Sequence, residues 1–277
     1  MEPERPSLTM PEELTRRAVA VATGDDGWQV QPARDAATVV LLRDGAAGVE
    51  VFLQRRVGRM AFAPGQYVFP GGRVEDSDAT APWRGAAGEP FPIAPGAGVT
   101  ACFRALTTAG ARETWEEAGT VLAGDGSGQV GRTPAEPTDD FESWLRHEGL
   151  FVDGDRFAAW SHWITPEIEG RRFDTRFLVA ELPDGQEAVD RGVESDHSSW
   201  FTPAAALDRT RAGTMPMLPP TSHALMQLAE FDSASAVMAD ARTRRPRPLL
   251  PRPAVAATGA IEWGLVDAYT GEPMGWS

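Results

Sequence analysis

Ala111-Arg112-Glu113-Thr114-Trp115-Glu116-Glu117-Ala118-Gly119 is the stretch on which the reading of this chain turns. The pattern from Thr100 to Ala118 predicts a helix, with Thr100 as its N-cap and Gly119 where a left-handed terminating glycine belongs. Phe103 and Leu106 then share one side. Each helical residue advances by about 100°. Glu113, Glu116 and Glu117, related as i, i+3 and i+4, therefore fall in one narrow arc. Three carboxylates on one face repel one another at neutral pH. Such a set suits either a solvated surface or a hard cation such as Mg²⁺ or Mn²⁺. From these residues alone the two explanations weigh equally. Arg112, four residues before Glu116, can pair with it or hold a neighbouring glutamate.

The upstream context tips that balance. Phe69-Pro70-Gly71-Gly72-Arg73-Val74-Glu75-Asp76-Ser77-Asp78 carries two adjacent glycines, which permit a tight turn and close approach to a ligand. A main-chain carbonyl there has the chemistry to complete a metal shell. Taken together, the two segments resemble the Nudix box: Gly, five residues, Glu, seven residues, then Arg-Glu-(apolar)-x-Glu-Glu-x-Gly-(apolar). Gly72 matches the leading glycine, and Asp78 stands where the family usually has Glu. Arg112, Glu113, Glu116, Glu117 and Gly119 match the second half, while Thr114 and Thr120 replace apolar residues. Residues 79 to 111 give 33 positions where the family has seven, so about 26 are inserted.

The resemblance covers roughly residues 35–235. A split box, followed by Arg172-Phe173-Asp174-Thr175-Arg176-Phe177 and Leu218-Pro219-Pro220-Thr221, is similar to the subgroup containing the peroxisomal coenzyme A diphosphatase. Leu53–Gly72 also partly resembles the motif of bacterial coenzyme A pyrophosphatases, with Arg56 and Gly65 in place and Ala61 where that motif carries arginine.

Further out, Ala37–Leu42 reads as a strand, Asp44-Gly45 as a turn, Val49–Gln54 as the partner strand and Tyr67–Phe69 as a third. Residues 79–99, rich in Gly, Pro and Ala, read as a loop or insertion. The glycine spacing Gly126-x-Gly128-x-x-Gly131 is discounted as a dinucleotide fingerprint, because no predicted strand precedes it closely and Pro134 and Pro137 follow where a helix should begin. Helices are predicted at Glu12–Ala22 after Pro11, at Thr138–His147 capped by Thr138, at Pro203–Thr210 and at Thr221–Phe231. Strands are predicted at Phe157–Ile164, Phe173–Leu182, up to Trp200-Phe201, and near Ala260–Val266. Strands and helices mix without regular alternation, so the expected class is α+β, and the resemblance implies an α/β/α sandwich around a mixed sheet. The expected organisation is an N-terminal extension over 1–34, a domain over 35–235 with its insertion at about 79–99, and a Pro/Arg-rich extension over 236–277.

The chain has 277 residues, 42% hydrophobic, with a formal charge of −14. So acidic a surface repels phosphate backbones and anionic lipids, so neither nucleic acid nor membrane is expected as a partner. An anionic small-molecule substrate needs local compensation, most simply a divalent metal. A single cysteine, Cys102, excludes an internal disulfide and a cysteine metal cluster, and a reducing cytoplasm is the expected setting. The opening Met1-Glu2-Pro3-Glu4 lacks the order of a secretory signal, and no stretch approaches a membrane span.

What the resemblance implies is hydrolysis of the pyrophosphate bond of a nucleoside diphosphate linked to another moiety. Coenzyme A or an acyl-coenzyme A is the first expectation, and ADP-ribose or NADH the next. Glu113, Glu116 and Glu117 are assigned to Mg²⁺ or Mn²⁺, with the Gly71 carbonyl as a further ligand, and Arg112 orients the carboxylates. Glu116, Arg112 and Glu194 form the expected catalytic set. Glu194, six residues before Trp200, is the candidate general base and reads equally well as an ordinary exposed glutamate, with Asp196 and His197 as weaker alternatives. Arg55, Arg56 and Arg172 are the candidates to meet phosphates, among local clusters that include Arg59, Arg171 and Arg176; for each, a salt bridge to an acidic neighbour is at least as good a reading. Trp160, Trp163 and Phe173 have the shape to stack on a base, but strand aromatics are more often core. His147, His162 and His223 are scattered and assigned to packing or solvent. A homodimer is expected by resemblance alone. The competing class is a catalytically silent Nudix domain acting as a nucleotide sensor or interaction module, against which the intact glutamate set argues.

Overall fold

The structure, a computed structural model, describes residues 10–58, 63–86, 88–92, 102–127, 130–131, 140–191 and 195–275. In chain order the elements are α1 Glu12–Thr23, β1 Ala33–Gly45, β2 Gly48–Arg56, β3 Tyr67–Val68, β4 Gly71–Arg73, β5 Trp83–Arg84, α2 Phe103–Ala118, β6 Ala123–Gly124, α3 Phe141–Glu148 and β7 Phe151–Asp153. They continue as β8 Phe157–Ile164, β9 Arg172–Glu181, β10 Ser195–Phe201, α4 Pro203–Arg211, α5 Pro219–Leu228, α6 Ala234–Ala241, β11 Pro248–Val255, β12 Ile261–Asp267 and β13 Pro273–Met274. Helices and strands thus mix as the α+β class requires. The chain divides into two compact units, one of residues 35–163 and 175–247, the other of 1–34, 164–174 and 248–277.

In the larger unit the strand order is β10-β2-β1-β9-β8, with β3 added to β2 and β4 to β1. The hairpin β1–β2 is antiparallel and closes at Gly45↔Gly48. Ala37, Val39 and Leu41 join the core cluster that includes Ala105, Leu106, Ala109 and Trp115 of α2. The alternate residues Val40 and Leu42 are equally inaccessible, so both faces of β1 are covered. The helix lies close to the sheet because its inner residues are small. A Cβ on Gly110 would come 2.8 Å from a methyl of Val39. A second, three-stranded sheet, ordered β5-β7-β6, lies in the same unit.

In the smaller unit β11 pairs antiparallel with β12 over seven positions, and β13 extends the hairpin. Arg17 of α1 lies 4.1 Å from the centroid of the Trp28 ring.

Several boundaries differ from expectation. The helix α2 begins at Phe103 after Cys102, and Thr100 lies outside the described residues. Asp140, not Thr138, caps α3, accepting from the Glu142 N–H; Thr138 is also outside the described residues. Pro11 is the N-cap of α1 and not its first turn. The proline-rich tail forms the strand β11, and α6 arises where Ser233 accepts from the Ala236 N–H.

Candidate functional site

The turn Gly71-Gly72 forms β4 and pairs with Ala37 and Thr38 of β1. A side chain at Gly71 would meet backbone, and one at Gly72 would displace a neighbouring side chain. A Cβ on Gly71 would sit 2.5 Å from the Ala37 carbonyl oxygen, and one on Gly72 would sit 2.3 Å from a carboxylate oxygen of Glu113. The absent side chain of Gly72 is therefore the space into which Glu113 reaches. Glu117, one turn on, accepts from the Gly71 N–H at 3.0 Å and from Nε2 of Gln54. The amide of Gly71 thus faces an acidic side chain here.

Arg112 ties the two halves of the motif together. Its Nε and Nη2 each lie 3.1 Å from an Asp78 carboxylate oxygen, a forked pair on an acid only 2% exposed. Nη2 also donates to the Arg73 carbonyl at 2.9 Å, and Nη1 to Glu113 at 2.8 Å, with Glu116 at 3.5 Å. Burial opposes the arginine's charge, but Asp78, Glu113 and Glu116 more than offset this and hold it firmly protonated. Asp78 also accepts from the Glu75 N–H at 2.8 Å, which fixes it in the short 3₁₀ turn Asp76–Ala79.

The electrostatics of the three glutamates follow. Burial pushes Glu113 up to about 7, with Arg112 pulling it down and Glu116 pushing it further up. Burial, and then the charge of Glu113, push Glu117 up to about 8; the Gly71 amide, Gln54 and Arg56 act in the opposite sense. Glu116, 44% exposed, is raised as well, again chiefly by burial. Two neighbouring desolvated carboxyls that resist ionising together form an oxygen-donor set that a hard dication would stabilise. Among the described residues no group of three acidic, histidine or cysteine side chains is placed so that it could hold a metal ion. Arg112, Gln54 and the Gly71 amide occupy those oxygens instead.

The candidate arginines separate cleanly. Arg56 is half-buried and its charge acts on Glu117. Arg55, its neighbour, pairs with Asp196 at 2.7 Å, both partners about two-fifths exposed. Arg172 belongs to the smaller unit, where it donates to the carbonyls of Thr165 and Gln31. Arg176 is buried on Asp35 at 2.6 Å. Glu194 and Arg59 lie outside the described residues. Trp160 and Trp163 are buried in β8, Trp160 beneath the Arg244 guanidinium and Trp163 against His223. Sequence alone gives no role to Gln54, which the fold leaves only 2% exposed; the signal available there was an amide at the end of an apolar run.

No family model matches the chain. It is 28% identical over 261 residues to acyl-coenzyme A diphosphatase NUDT19 of Gallus gallus, spanning 72% of this chain and 69% of that protein. It is 27% identical over 236 residues to the Homo sapiens protein of the same name, spanning 63% of the latter's length. Among solved structures, a NUDIX hydrolase from Alicyclobacillus acidocaldarius is 30% identical with a TM-score of 0.65, covering 76% of this chain and 97% of that one. Among the described residues no helix is long and apolar enough to cross a membrane.

Proposed function

The chain belongs to the Nudix hydrolase family, and from that premise we propose that it hydrolyses the diphosphate bridge of coenzyme A or an acyl-coenzyme A with the help of Mg²⁺ or Mn²⁺. The observation that carries the proposal is the pair Glu113 and Glu117, desolvated side by side against Gly72 and Gly71 with Arg56 acting on Glu117. The likeness to acyl-coenzyme A diphosphatases supports the substrate class.

In the proposed reaction a water oxygen bonds to one phosphorus as the bridging P–O bond breaks. Glu113, Glu116 and Glu117 would hold the cation; when bound, it neutralises phosphate oxygens and acidifies the attacking water. Arg112 keeps Glu113 and Glu116 aimed by anchoring itself on Asp78 and the Arg73 carbonyl. Arg56 meets a diphosphate oxygen, the role for which its position beside Glu117 is suited. Glu194 takes the proton of the attacking water. Its support is its place in the sequence, six residues before Trp200, where the family resemblance expects a base-bearing glutamate ahead of a late strand. Catalysis of this kind is mostly positioning and charge stabilisation.

The test is a mass-spectrometric product screen with Mg²⁺ and Mn²⁺ on coenzyme A, acyl-coenzyme A, ADP-ribose, NADH and deoxynucleoside triphosphates, with Glu116→Gln as control. Formation of 3′,5′-ADP and a phosphopantetheine, lost in the variant, is the expected result. Preferential cleavage of ADP-ribose or NADH would overturn the substrate class, and no cleavage of any compound would favour a ligand-sensing domain.

A further inference from the structure

We propose that the described residues 79–86 and 88–92 of the segment inserted between the two halves of the box form a fixed strap, clamped to α2, that holds the glutamate-bearing turn of the helix in place. The Gly-, Pro- and Ala-rich composition of residues 79–92 suggests a loose loop, yet its described residues are bonded to the first two turns of α2. Asp78, the box residue just before the segment, takes the Arg112 guanidinium and so fixes the segment's first end. The Ala81 carbonyl accepts from Nη2 of Arg104 at 2.8 Å. Trp83 donates its indole N–H to the Thr107 hydroxyl at 3.0 Å. Glu89 closes the series at the helix start, both oxygens accepting from the Phe103 N–H, at 3.1 and 2.9 Å.

Each clamp answers a local need. Cys102, the N-cap of α2, makes no side-chain capping bond, so Glu89 supplies from a distance in sequence what a capping serine or aspartate supplies locally. Burial pushes its carboxyl above the ordinary value, with the Phe103 amide and the charge of Arg176 acting in the opposite sense. Trp83 is wedged rather than laid on the surface: a Cβ on Gly154 would come 2.5 Å from its ring. The strap is further fixed by β5 pairing in parallel with β7, and by Arg146 of α3 donating to the Thr80 carbonyl at 3.1 Å. Phe91, 3% exposed, stands edge-on to His162 of β8 with ring centroids 5.7 Å apart. A lid that opened over the site would have to break this series together.

The proposal rests on Glu113, Glu116 and Glu117 being the metal-holding set, and the test separates the two ideas. Trp83→Phe removes the indole donor and keeps the ring; Glu89→Ala removes the distant cap, and Glu89→Gln keeps an acceptor for the Phe103 N–H. Three readouts are taken on the full chain: amide hydrogen exchange across 106–118, the Mg²⁺ concentration for half-maximal thermal stabilisation, and KM at saturating Mg²⁺. The expected result for Trp83→Phe and Glu89→Ala is faster exchange at 112–117 and a half-saturating Mg²⁺ concentration raised about fivefold, the worth of one hydrogen bond of about 1 kcal/mol. KM at saturating metal stays unchanged, and Glu89→Gln restores most of the loss. A lowered melting temperature with exchange at 112–117 and Mg²⁺ response as in the parent overturns the strap. If the parent itself shows no Mg²⁺ response, the proposed function fails, and exchange at 112–117 alone decides the strap.

Discussion

Glu117→Gln in the metal-free protein is the sharpest probe of the site, because it sets stability against function with opposite signs. In the fold the Glu117 carboxyl is pushed from its ordinary 4.5 up to about 8, first by burial and then by the charge of Glu113. A folded-state value above the unfolded one means that the protonated form suits the fold. The contribution is fully present below about pH 4.5 and is lost as pH rises through 8. At pH 8 the parent therefore bears a cost on the order of 4 kcal/mol at this one position. Glutamine has no charge to desolvate, and its amide oxygen can still accept from the Gly71 N–H. At a few degrees per kcal/mol for a domain of this size, the metal-free variant should melt roughly 10 °C above the parent at pH 8, with the gap closing toward pH 5.

The assay is calorimetric melting after chelation, at intervals from pH 5 to 8.5, repeated with saturating Mg²⁺. Cation binding requires ionised carboxylates, so Mg²⁺ should stabilise the parent more at pH 8 than at pH 6, and should scarcely move the variant. A variant less stable than the parent at pH 8 without metal, or a difference that does not change with pH, would refute the account of Glu117 as a desolvated carboxyl awaiting a cation.

Other perturbations separate the remaining roles. Gly72→Ala places a methyl in the space of the Glu113 carboxylate; turnover should fall about a hundredfold, read by steady-state kinetics, with the melting temperature changing far less. Arg112→Ala leaves Asp78 buried without its fork and should destabilise by about 3–5 kcal/mol in denaturant titration; Arg112→Lys should recover only part of this, since an ammonium cannot replace the fork. Arg56→Ala should raise KM about tenfold or more while stability holds, whereas Arg55→Ala should leave KM near the parent value.

The helix that carries the acids was readable because three local signals agree: a continuous helical pattern, carboxylates at i, i+3 and i+4, and Gly119 adopting the left-handed φ of 65° that stops it. The strap was not readable, because its partners are far away in sequence. Trp83 is held by Thr107 and Gly154, and nothing within residues 79–92 announces either. β11 was hidden for a related reason: prolines at 248, 251 and 253 argue against a strand, yet the strand is made by its pairing with β12. The arginines show a third kind of limit. A cluster in sequence ranks Arg55, Arg56 and Arg172 alike, since charge alone carries no direction. Direction comes from the period of two along a strand, which sends adjacent residues to opposite faces. Gln54 bonds to Glu117, Arg56 acts on the same carboxyl, and Arg55 between them turns away to Asp196. The amide of Gln54, ending an apolar run, marks a functional face in the sequence itself, and strand parity counted from it selects Arg56 over Arg55.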